Sequence, residues 1–542
     1  GQGIDAVLTS GERSFLFIAA GVVIAAAVLR GITAYTNTYL TQVVSQKTSY
    51  DVRNALYERL QRLSFAYHDK AQTGQLMSRA TVDVEAVRMF FGNGLIGIPQ
   101  IVILMGGISY LLISTDWRLA LMALAFVPPI TWRAIVVSGR LRPIWLKIQQ
   151  VIAAMGTTLQ ESLSGVKVVK AFAYQQGEGQ KFSADARVLY NTEIDAARLM
   201  AFNMPLMVFL LSLPTALVLW YGGRQVMADT MTPGELTAFI LYLGMLAMPI
   251  RRLGFMANIF SRTASAGQRI MEILETESKI QEKTGAIEFG KVKGLVTFEN
   301  VGFGYDSMSP TIKNISFSVQ TGQLVALLGG SGSGKSTIAN LIPRFYDVSN
   351  GRVMIDGTDV RDATVASLRR NVGIVQQDIF LFSATIRDNI AYGAVNASME
   401  DIISATKAAH LHDFIISLPE GYGTWVGERG ITLSGGEKQR LAIARTQLVN
   451  PGILIMDDST SSVDAETERL IRQALSRLIK GRTTFIITHR LPVIKNADLI
   501  LLLKDGEIVE HGKHNELMAR NGLYQQIYQS QLTANNGNET AE

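Results

Sequence analysis

A glycine-rich segment of nine residues constrains the fold of this chain more than any other stretch. The apolar run Leu324–Leu328 precedes the segment, and the helical pattern Ile338–Phe345 follows it. A strand, then G-x-x-x-x-G-K-[ST], then a helix is the pattern typical of a phosphate-binding loop. In such a loop, backbone N–H groups and a helix N-terminus surround an oxyanion, so we predict that the chain binds a nucleoside triphosphate. The segment consists of Gly329, Gly330, Ser331, Gly332, Ser333, Gly334, Lys335, Ser336 and Thr337.

Two side chains of this phosphate loop have predicted roles of their own. Lys335 is expected to contact the β- and γ-phosphates, and the Ser336 hydroxyl is expected to hold Mg²⁺. A flexible Gly/Ser linker is the alternative interpretation of the segment. A linker explains neither the Lys-Ser end nor the flanking strand and helix, so we favour the phosphate loop.

The composition indicates a membrane protein with more than one domain. The chain has 542 residues, of which 48% are hydrophobic and 18% charged, and its mean hydropathy is +0.19. A soluble protein usually carries about 25% charged residues. The net charge of +5 could indicate nucleic acid, but the bases of the first half lie beside apolar runs, as in cytoplasmic membrane loops. The absence of cysteine from the sequence excludes disulfides and thiolate metal sites.

Five apolar segments in the first half are predicted to cross a bilayer, which requires about 20 residues each. We expect Arg30 and Arg133 to extend to the membrane interface rather than to bind a ligand. A large buried helical core is the alternative, but it does not account for Phe15–Leu29, which carries no charge. The predicted spans are Phe15–Leu40, Leu95–Ile113, Leu119–Val137, Met204–Tyr221 and Leu236–Pro249.

The segments between the spans alternate between short and long. The long ones, Thr41–Asn93 and Ser138–Asn203, are rich in Lys and Arg, which places them in the cytoplasm as extended helices. Thr232-Pro233-Gly234-Glu235 has the residue order of a helix start with a capping box. We therefore predict a multi-pass protein of the cytoplasmic membrane.

The predicted fold is multidomain. A helical transmembrane bundle with long intracellular helices occupies residues 1–275, and a polar linker covers 276–294. Short strands then alternate with helices over 295–532, which is typical of an α/β nucleotide-binding domain. A polar tail, 533–542, ends the sequence.

Two further strands end in residues that suit nucleotide chemistry. Asp457 follows the apolar run Ile453–Met456 and is a candidate to support Mg²⁺. His489 follows the buried run Thr484–Thr488 and is a candidate contact of the γ-phosphate. A helix cap and a structural histidine are the alternatives for these two residues when each is considered alone.

The segment Leu433–Arg440, with the sequence LSGGEKQR, identifies a resemblance to the ATP-binding cassette (ABC) family over residues 295–530. The resemblance implies ATP and Mg²⁺ as ligands and hydrolysis of ATP. It further implies that Tyr305 stacks on adenine, that Gln377 senses Mg²⁺, and that Asp464 and His489 serve the ATP site. Gly427–Gly430 matches a segment of exporters that touches the intracellular loops. The signature residues implied to contact ATP are Ser434, Gly435, Gly436 and Glu437.

The first half resembles the membrane domain of ABC exporters with long intracellular helices. Phe65, Thr73, Gly74, Arg79 and Asp83 match the first intracellular loop of that class. Such halves normally have six spans, so we expect one span before Gly1. The resemblance implies a pair of half-transporters that exports amphipathic drugs or lipids, with each signature completing the ATP site of the other.

One residue departs from the family pattern. Most members have Glu directly after the Walker B aspartate, whereas this chain has Asp458. Asp is shorter by about 1.5 Å, and a general base must lie within about 3 Å of the proton that it accepts. We therefore expect a weakly hydrolysing site. In this respect the chain resembles one half of the heterodimeric bacterial exporters in which one site is degenerate, and this resemblance implies a partner that carries Glu at the matching position. A slow homodimeric lipid exporter, an ATP-gated channel or regulator, and a soluble P-loop enzyme are the alternatives.

Overall fold

The computed structural model describes residues 13–306, 309–427, 433–457, 464–488 and 490–539. Contacts between Cα atoms divide the chain into two units. The helical unit comprises Gly1–Gln61 and Thr73–Thr276, and the α/β unit comprises Arg62–Gln72 and Glu277–Glu542.

Long helices form the helical unit. They are interrupted by two π-helical stretches, Arg79–Asp83 and Phe90–Gly94. The short helix α2 belongs to the α/β unit. The helices up to residue 275 are α1 Arg13–Arg62, α2 Phe65–His68, α3 Thr73–Ser78, α4 Val84–Met89, α5 Leu95–Thr115, α6 Trp117–Leu124, α7 Val127–Ser164, α8 Val166–Ala171, α9 Gln175–Met227 and α10 Pro233–Glu275.

Local capping sets two of the helix starts. The Asp116 carboxylate accepts the backbone N–H groups of Arg118 and Leu119, at 2.8 and 3.1 Å, and so begins α6. At the start of α10, the Thr232 hydroxyl accepts the Glu235 N–H, and the Glu235 carboxylate accepts the Thr232 N–H. The predicted capping box at this position is therefore confirmed.

Four of the five predicted spans lie in helical stretches that are long and apolar enough to cross a membrane. The fifth predicted span lies in α10, where the apolar stretch among the described residues, Pro233–Leu246, is shorter. The four long stretches are Ala20–Arg62, Thr73–Thr115, Trp117–Ser164 and Gln175–Met227.

The core of the helical unit lies between α5, α6, α9 and α10, where Leu112, Leu119 and Phe239 are buried. Arg133 has a hydrogen-bond partner within the helical unit that the sequence analysis did not anticipate. Its Nη2 donates a 2.7 Å hydrogen bond to Oδ1 of the buried Asn203, and its Nε is buried. An amide on the neighbouring helix α9 gives the guanidinium a polar partner inside the bundle.

The α/β unit is built on a six-stranded sheet with the order β12-β11-β3-β10-β9-β6. Strands β11, β3, β10, β9 and β6 are parallel, and β12 is antiparallel to β11. A four-stranded antiparallel sheet, β2-β1-β4-β5, and the pair β7-β8 complete the strands of the described residues. The strands are β1 Val296–Phe303, β2 Ile312–Val319, β3 Leu324–Gly329, β4 Asn350–Ile355, β5 Thr358–Asp359, β6 Val372–Val375, β7 Ala384–Thr385, β8 Trp425–Val426, β9 Ile453–Asp457, β10 Thr483–Ile487, β11 Leu499–Lys504 and β12 Glu507–Gly512.

Helices cover both faces of the six-stranded sheet, so its strands are apolar on both sides. Val325 and Leu327 of β3 face one core with the helix that follows the phosphate loop, α11. Ala326 and Leu328 face the other core, which includes the helix of the signature, α16. The helices are α11 Lys335–Leu341, α12 Val365–Arg370, α13 Ile386–Ile390, α14 Met399–Ala408, α15 His412–Ser417, α16 Gly435–Val449, α17 Ala465–Ile479, α18 Leu491–Lys495, α19 His514–Ala519 and α20 Leu523–Glu539.

Candidate nucleotide site

The parallel strands bring several predicted site residues to one edge of the sheet. The phosphate loop begins at the end of β3, Asp457 ends β9, and Gln377 follows the end of β6 by two residues. Ile487 of β10 is in register with Leu327 on one side and with Asp457 on the other. Because these strands are parallel, their carboxyl ends meet at this edge, where open α/β sheets bind their ligands.

The backbone of the phosphate loop requires glycine at two positions. Gly329 has φ +144°, and a Cβ built on it would lie 2.3 Å from the carbonyl oxygen of Leu503. Gly334 has φ +103°, and its Cβ would lie 2.6 Å from Cγ2 of Ile312. The loop is therefore held in a conformation that other residues would strain.

Two side chains of the loop can donate hydrogen bonds to a bound anion. The Ser333 Oγ is buried and has no hydrogen-bond partner within the described part of the chain. The Lys335 Nζ donates to the carbonyl oxygens of Gly329 and Gly330, at 2.9 and 2.7 Å. Burial lowers the pKa of Lys335, and the nearby Asp457 carboxylate opposes this shift. A phosphate would accept hydrogen bonds from both side chains, so the loop suits a nucleoside triphosphate.

Tyr305 lies beside the phosphate-loop helix. Its hydroxyl is 3.3 Å from Oγ1 of Thr337, and its ring packs edge-on against Phe303 and Tyr346, with centroids 5.0 and 5.1 Å away. The side chain remains 43% exposed. Neighbouring aromatic rings thus fix the orientation of a ring that is still accessible to a flat base.

Tyr346 is a residue that the sequence analysis missed. Its hydroxyl donates to the Asp69 carboxylate just after α2, and burial together with this hydrogen bond raises the pKa of Tyr346. The neighbouring Phe345 packs on Phe65 of α2, with ring centroids 4.3 Å apart. The adjacent aromatic residues Phe345 and Tyr346, which end the pattern after the phosphate loop, were the signal for this contact. The ring of Tyr305 is therefore linked to the segment Arg62–Gln72 through one intervening side chain.

The signature segment forms the N-terminus of α16. The Ser434 hydroxyl accepts the Glu437 N–H at 3.4 Å, and the Glu437 carboxylate accepts the Ser434 N–H at 2.7 Å. This capping box fixes the first turn of the helix. Among the described residues, a Cβ built on Gly435 would have no atom within 4 Å, and Gly436 is buried. The described part of the α/β unit therefore gives no steric reason for glycine at position 435.

The phosphate loop and the signature are not brought together by the packing of the sheet. Helix α11 contributes Ile338 to the core on one face, whereas α16 contributes Leu441 and Ala444 to the core on the other face. Asp464 belongs to neither of these two helices. It directly precedes α17, where its carboxylate accepts the Thr467 N–H at 2.9 Å and caps the helix. That hydrogen bond lowers the pKa of Asp464.

The remaining predicted positions divide into two groups. Ser336 follows Lys335 in the first turn of α11, and Gln377 is exposed after β6. Asp458 and His489, together with Glu428, Arg429 and Gly430 of the predicted exporter segment, lie outside the described residues.

Comparisons with known proteins agree on one family. The family described as "ABC transporter transmembrane region" matches residues 1–250, and the family described as "ABC transporter" matches residues 312–461. The protein named ATP-dependent lipid A-core flippase of Syntrophus aciditrophicus (strain SB) is 38% identical over 93% of this chain and 84% of its own length. The protein named putative multidrug export ATP-binding/permease protein YgaD of Bacillus subtilis (strain 168) is 37% identical over 92% of this chain and 87% of its own length.

A solved structure agrees with these relatives. The structure titled "Structure of a bacterial Atm1-family ABC exporter with ATP bound" has a TM-score of 0.80 and 31% sequence identity, and the match covers 98% of this chain and 94% of that one. The predicted fold class, a helical transmembrane domain followed by an α/β ATPase domain, is confirmed. The chain therefore belongs to the ABC transporter family, as a multi-pass membrane protein of the exporter type with a cytoplasmic cassette that binds ATP and couples its hydrolysis to transport.

Proposed function

We propose that this chain is one half of an ATP-driven exporter that moves amphipathic drugs or lipids across the cytoplasmic membrane by alternating access. The names of two relatives, a lipid A-core flippase and a putative multidrug exporter, support this cargo class. ATP drives the cycle because it binds one conformation of the assembled pair better than the other.

Gly435 is the observation that carries the proposed pairing. Its Cβ would meet no atom of the described residues within 4 Å, and its helix lies on the face of the sheet opposite to α11. A glycine that its own fold does not require is explained if another molecule approaches the backbone closely. In the proposed pair, the N–H groups and Ser434 at the start of α16 contact a nucleotide held by the phosphate loop of the partner.

Each half also needs residues around its own nucleotide. We assign Tyr305 to the adenine ring, the phosphate loop to the phosphates, and Ser336, Asp457 and Gln377 to Mg²⁺. Asp458 and His489 are assigned to the attacking water and the γ-phosphate, and Asp464 to the region between the two cassettes. The convergence of β3, β6 and β9 at one sheet edge supports the assignments of Asp457 and Gln377.

The partner is proposed to be a different chain. Asp458 is one methylene shorter than the glutamate that the family normally has, and a misplacement of about 1 Å can lower a rate by about 100-fold. The ATP site on this chain is therefore proposed to hydrolyse slowly. Its LSGGE signature, which is intact, completes a competent site on a partner with Glu at the matching position.

Purification of this chain alone and with the chain that co-purifies tests the pairing. We expect slow ATP hydrolysis by the chain alone and brisk hydrolysis by the pair. Brisk hydrolysis by this chain alone would support a homodimer instead. ATP-dependent uptake of a fluorescent drug or lipid into inverted vesicles distinguishes an exporter from a channel, because a channel cannot build a gradient.

The substitution Asp458→Glu tests the length argument directly. We expect turnover at the site on this chain to rise by about 10- to 100-fold, because the added methylene restores the position of the base. Asp458→Asn is the matched control, which removes the charge at constant length and gives no rise. An unchanged rate in Asp458→Glu would contradict the argument from side-chain length.

A further inference from the structure

A polar cavity of about 310 Å³ lies within the helical unit, between α1, the start of α5 and α10. Four amide side chains line it: Asn37 and Gln42 from α1, Asn93 from the π-helical stretch before α5, and Gln100 from α5. Thr38 and Thr41 add two hydroxyl groups from α1, and Met256 contributes from α10. We call this cavity the amide pocket.

The amide pocket lies at the cytoplasmic ends of predicted spans. Asn37 and Gln42 are close to the end of the span Phe15–Leu40, and Asn93 directly precedes the span Leu95–Ile113. Both span ends adjoin the long segment rich in Lys and Arg, which belongs to the cytoplasm. The pocket is therefore at the level where an amphiphile from the inner leaflet first meets the bundle.

The lining amides do not suit a surface that faces acyl chains. Asn37, Gln42, Asn93 and Gln100 are exposed in this chain, and amide groups have no hydrogen-bond partner in hydrocarbon. Polar side chains within membrane-spanning segments usually face the bundle interior or a water-filled cavity. The apolar Ile103 of the same helix α5 is 73% exposed, and it has the character expected for a lipid-facing position.

Glycines and a π-helical stretch shape the backbone around the pocket. Asn93 belongs to the π-helical stretch Phe90–Gly94, and such stretches change the direction of side chains and are frequent at functional sites. A Cβ built on Gly97 would lie 3.1 Å from Cε of Met256, and one on Gly92 would lie 3.1 Å from Oγ of Ser45. Larger residues at these two glycines would crowd α10 and α1, so glycine maintains the close approach of three helices.

Among the residues that the structure describes, none that lines the pocket is charged. An ionic ligand would therefore lose its hydration without gaining an opposite charge, whereas an uncharged polar group can exchange water for amide and hydroxyl partners. We propose that the amide pocket binds the uncharged, hydrogen-bonding head group of the transported amphiphile. This inference rests on the proposed export function and adds to it the chemistry of the cargo.

Binding measurements on the assembled transporter in nanodiscs test the proposal. Three fluorescent probes are compared: a short-chain lipid with a glucose head, an alkylated tripeptide with both ends capped, and short-chain phosphatidylglycerol as the anion. The substitutions Gln42→Met, Asn93→Leu and Gln100→Met remove hydrogen bonds at nearly constant volume. Gln46→Met is the matched control, since Gln46 is an exposed amide one turn further along α1 and does not line the pocket.

We expect each single substitution to weaken binding of a neutral probe by about 3- to 10-fold, which corresponds to one lost hydrogen bond. Binding of phosphatidylglycerol is expected to be unaffected by these substitutions. The Gln46→Met variant is expected to bind the neutral probe as tightly as the unmodified protein does. Binding of the glucose lipid alone assigns the cargo to sugar-headed lipids, and binding of the capped peptide alone assigns it to peptides. Failure of both neutral probes to bind the unmodified protein, or equal binding by the triple variant, would overturn the proposal.

The sequence offers a second measurement because it contains no cysteine. Asn93→Cys is expected to react with a charged, water-soluble maleimide and to be protected by the neutral probe that binds. Leu95→Cys, two residues away on another side of the helix, is the control and is expected to show no such protection. An unreactive Asn93→Cys would contradict a water-filled pocket. Loss of ATP-driven transport with normal probe binding would instead count against the export function and leave the pocket in place.

Discussion

The phosphate loop and the signature both have glycine beside a helix N-terminus, but the structural reason for glycine differs between the two segments. Gly329 and Gly334 have positive φ, and a side chain on either would collide with Leu503 or Ile312. Gly435 has no described atom within 4 Å of the position of a Cβ. The fold of this chain therefore explains the first two glycines, whereas for the third we propose the close approach of a molecule outside the chain.

Of the substitutions considered, Gly329→Ala is expected to have the largest effect, a loss of folding stability. The substitution combines a backbone that favours glycine with a contact of 2.3 Å to the Leu503 carbonyl, so we expect a loss of about 3 kcal/mol in stability. Thermal unfolding of the purified full chain measures it. Gly322→Ala, which has a positive φ but open space, is the control that isolates the backbone contribution. Unchanged unfolding of Gly329→Ala would remove the contrast between the two loops.

Gly435→Val is expected to lower the ATP turnover of the assembled pair by about 100-fold and to leave thermal unfolding unchanged. The Cβ of the added side chain meets no atom of the described residues within 4 Å, but the side chain would displace a nucleotide at the start of α16 by about 1 Å. Gly423→Val, also in open space, is the control that should retain turnover. A melting temperature that falls together with turnover would show that Gly435 serves the fold.

Tyr305→Leu is expected to weaken ATP binding by about 10-fold, since stacking on a base contributes about 1–3 kcal/mol. Tyr305→Phe keeps the ring and removes only the 3.3 Å contact with Thr337, so we expect about a 2-fold change. A fluorescent ATP analogue measures both affinities. Equal losses in the two variants would place the contribution in the hydroxyl rather than in the ring.

The smallest of these losses is expected for Ser434→Ala, which should lower stability by about 1 kcal/mol because it removes the N-cap of α16. Ser434→Asn retains a capping side chain and should unfold like the unmodified protein. The rate of ATP hydrolysis by the assembled pair distinguishes the role of Ser434 as N-cap from its proposed role as a contact of the nucleotide. Normal turnover in Ser434→Ala would show that the hydroxyl acts only as a cap and does not contact the nucleotide of the partner.

Local patterns predicted a large part of the candidate site. The phosphate loop lies between β3 and α11 as expected, Asp457 ends β9, and Thr232 begins α10 with its capping box. These features depend on neighbouring residues, so a short window of sequence contains the necessary information. A short window of sequence is not sufficient for Asp464. The structure shows that this residue is the N-cap of α17, whereas its role at the ATP site stays a prediction.

Other features depended on residues that are far apart in the sequence. The hydrogen bond between Tyr346 and Asp69 joins positions 277 residues apart, and that between Arg133 and Asn203 joins positions 70 apart. The sequence analysis considered each span alone and therefore named no partner for Arg133. Neighbouring helices supply the partner, and only packing shows which helices are neighbours.

The sequence alone determined the family, the phosphate loop and four spans, because each depends on a short pattern of residue types whose chemistry is local. Tertiary structure decided the placement of α16 and α11, the helices that begin at the signature and at the phosphate loop, on opposite faces of one sheet. It also decided the meeting of four amides from α1, the π-helical stretch Phe90–Gly94 and α5 in one pocket. The physical reason is that strand order and helix packing are set by the burial of apolar surface over the whole unit, which no single segment specifies.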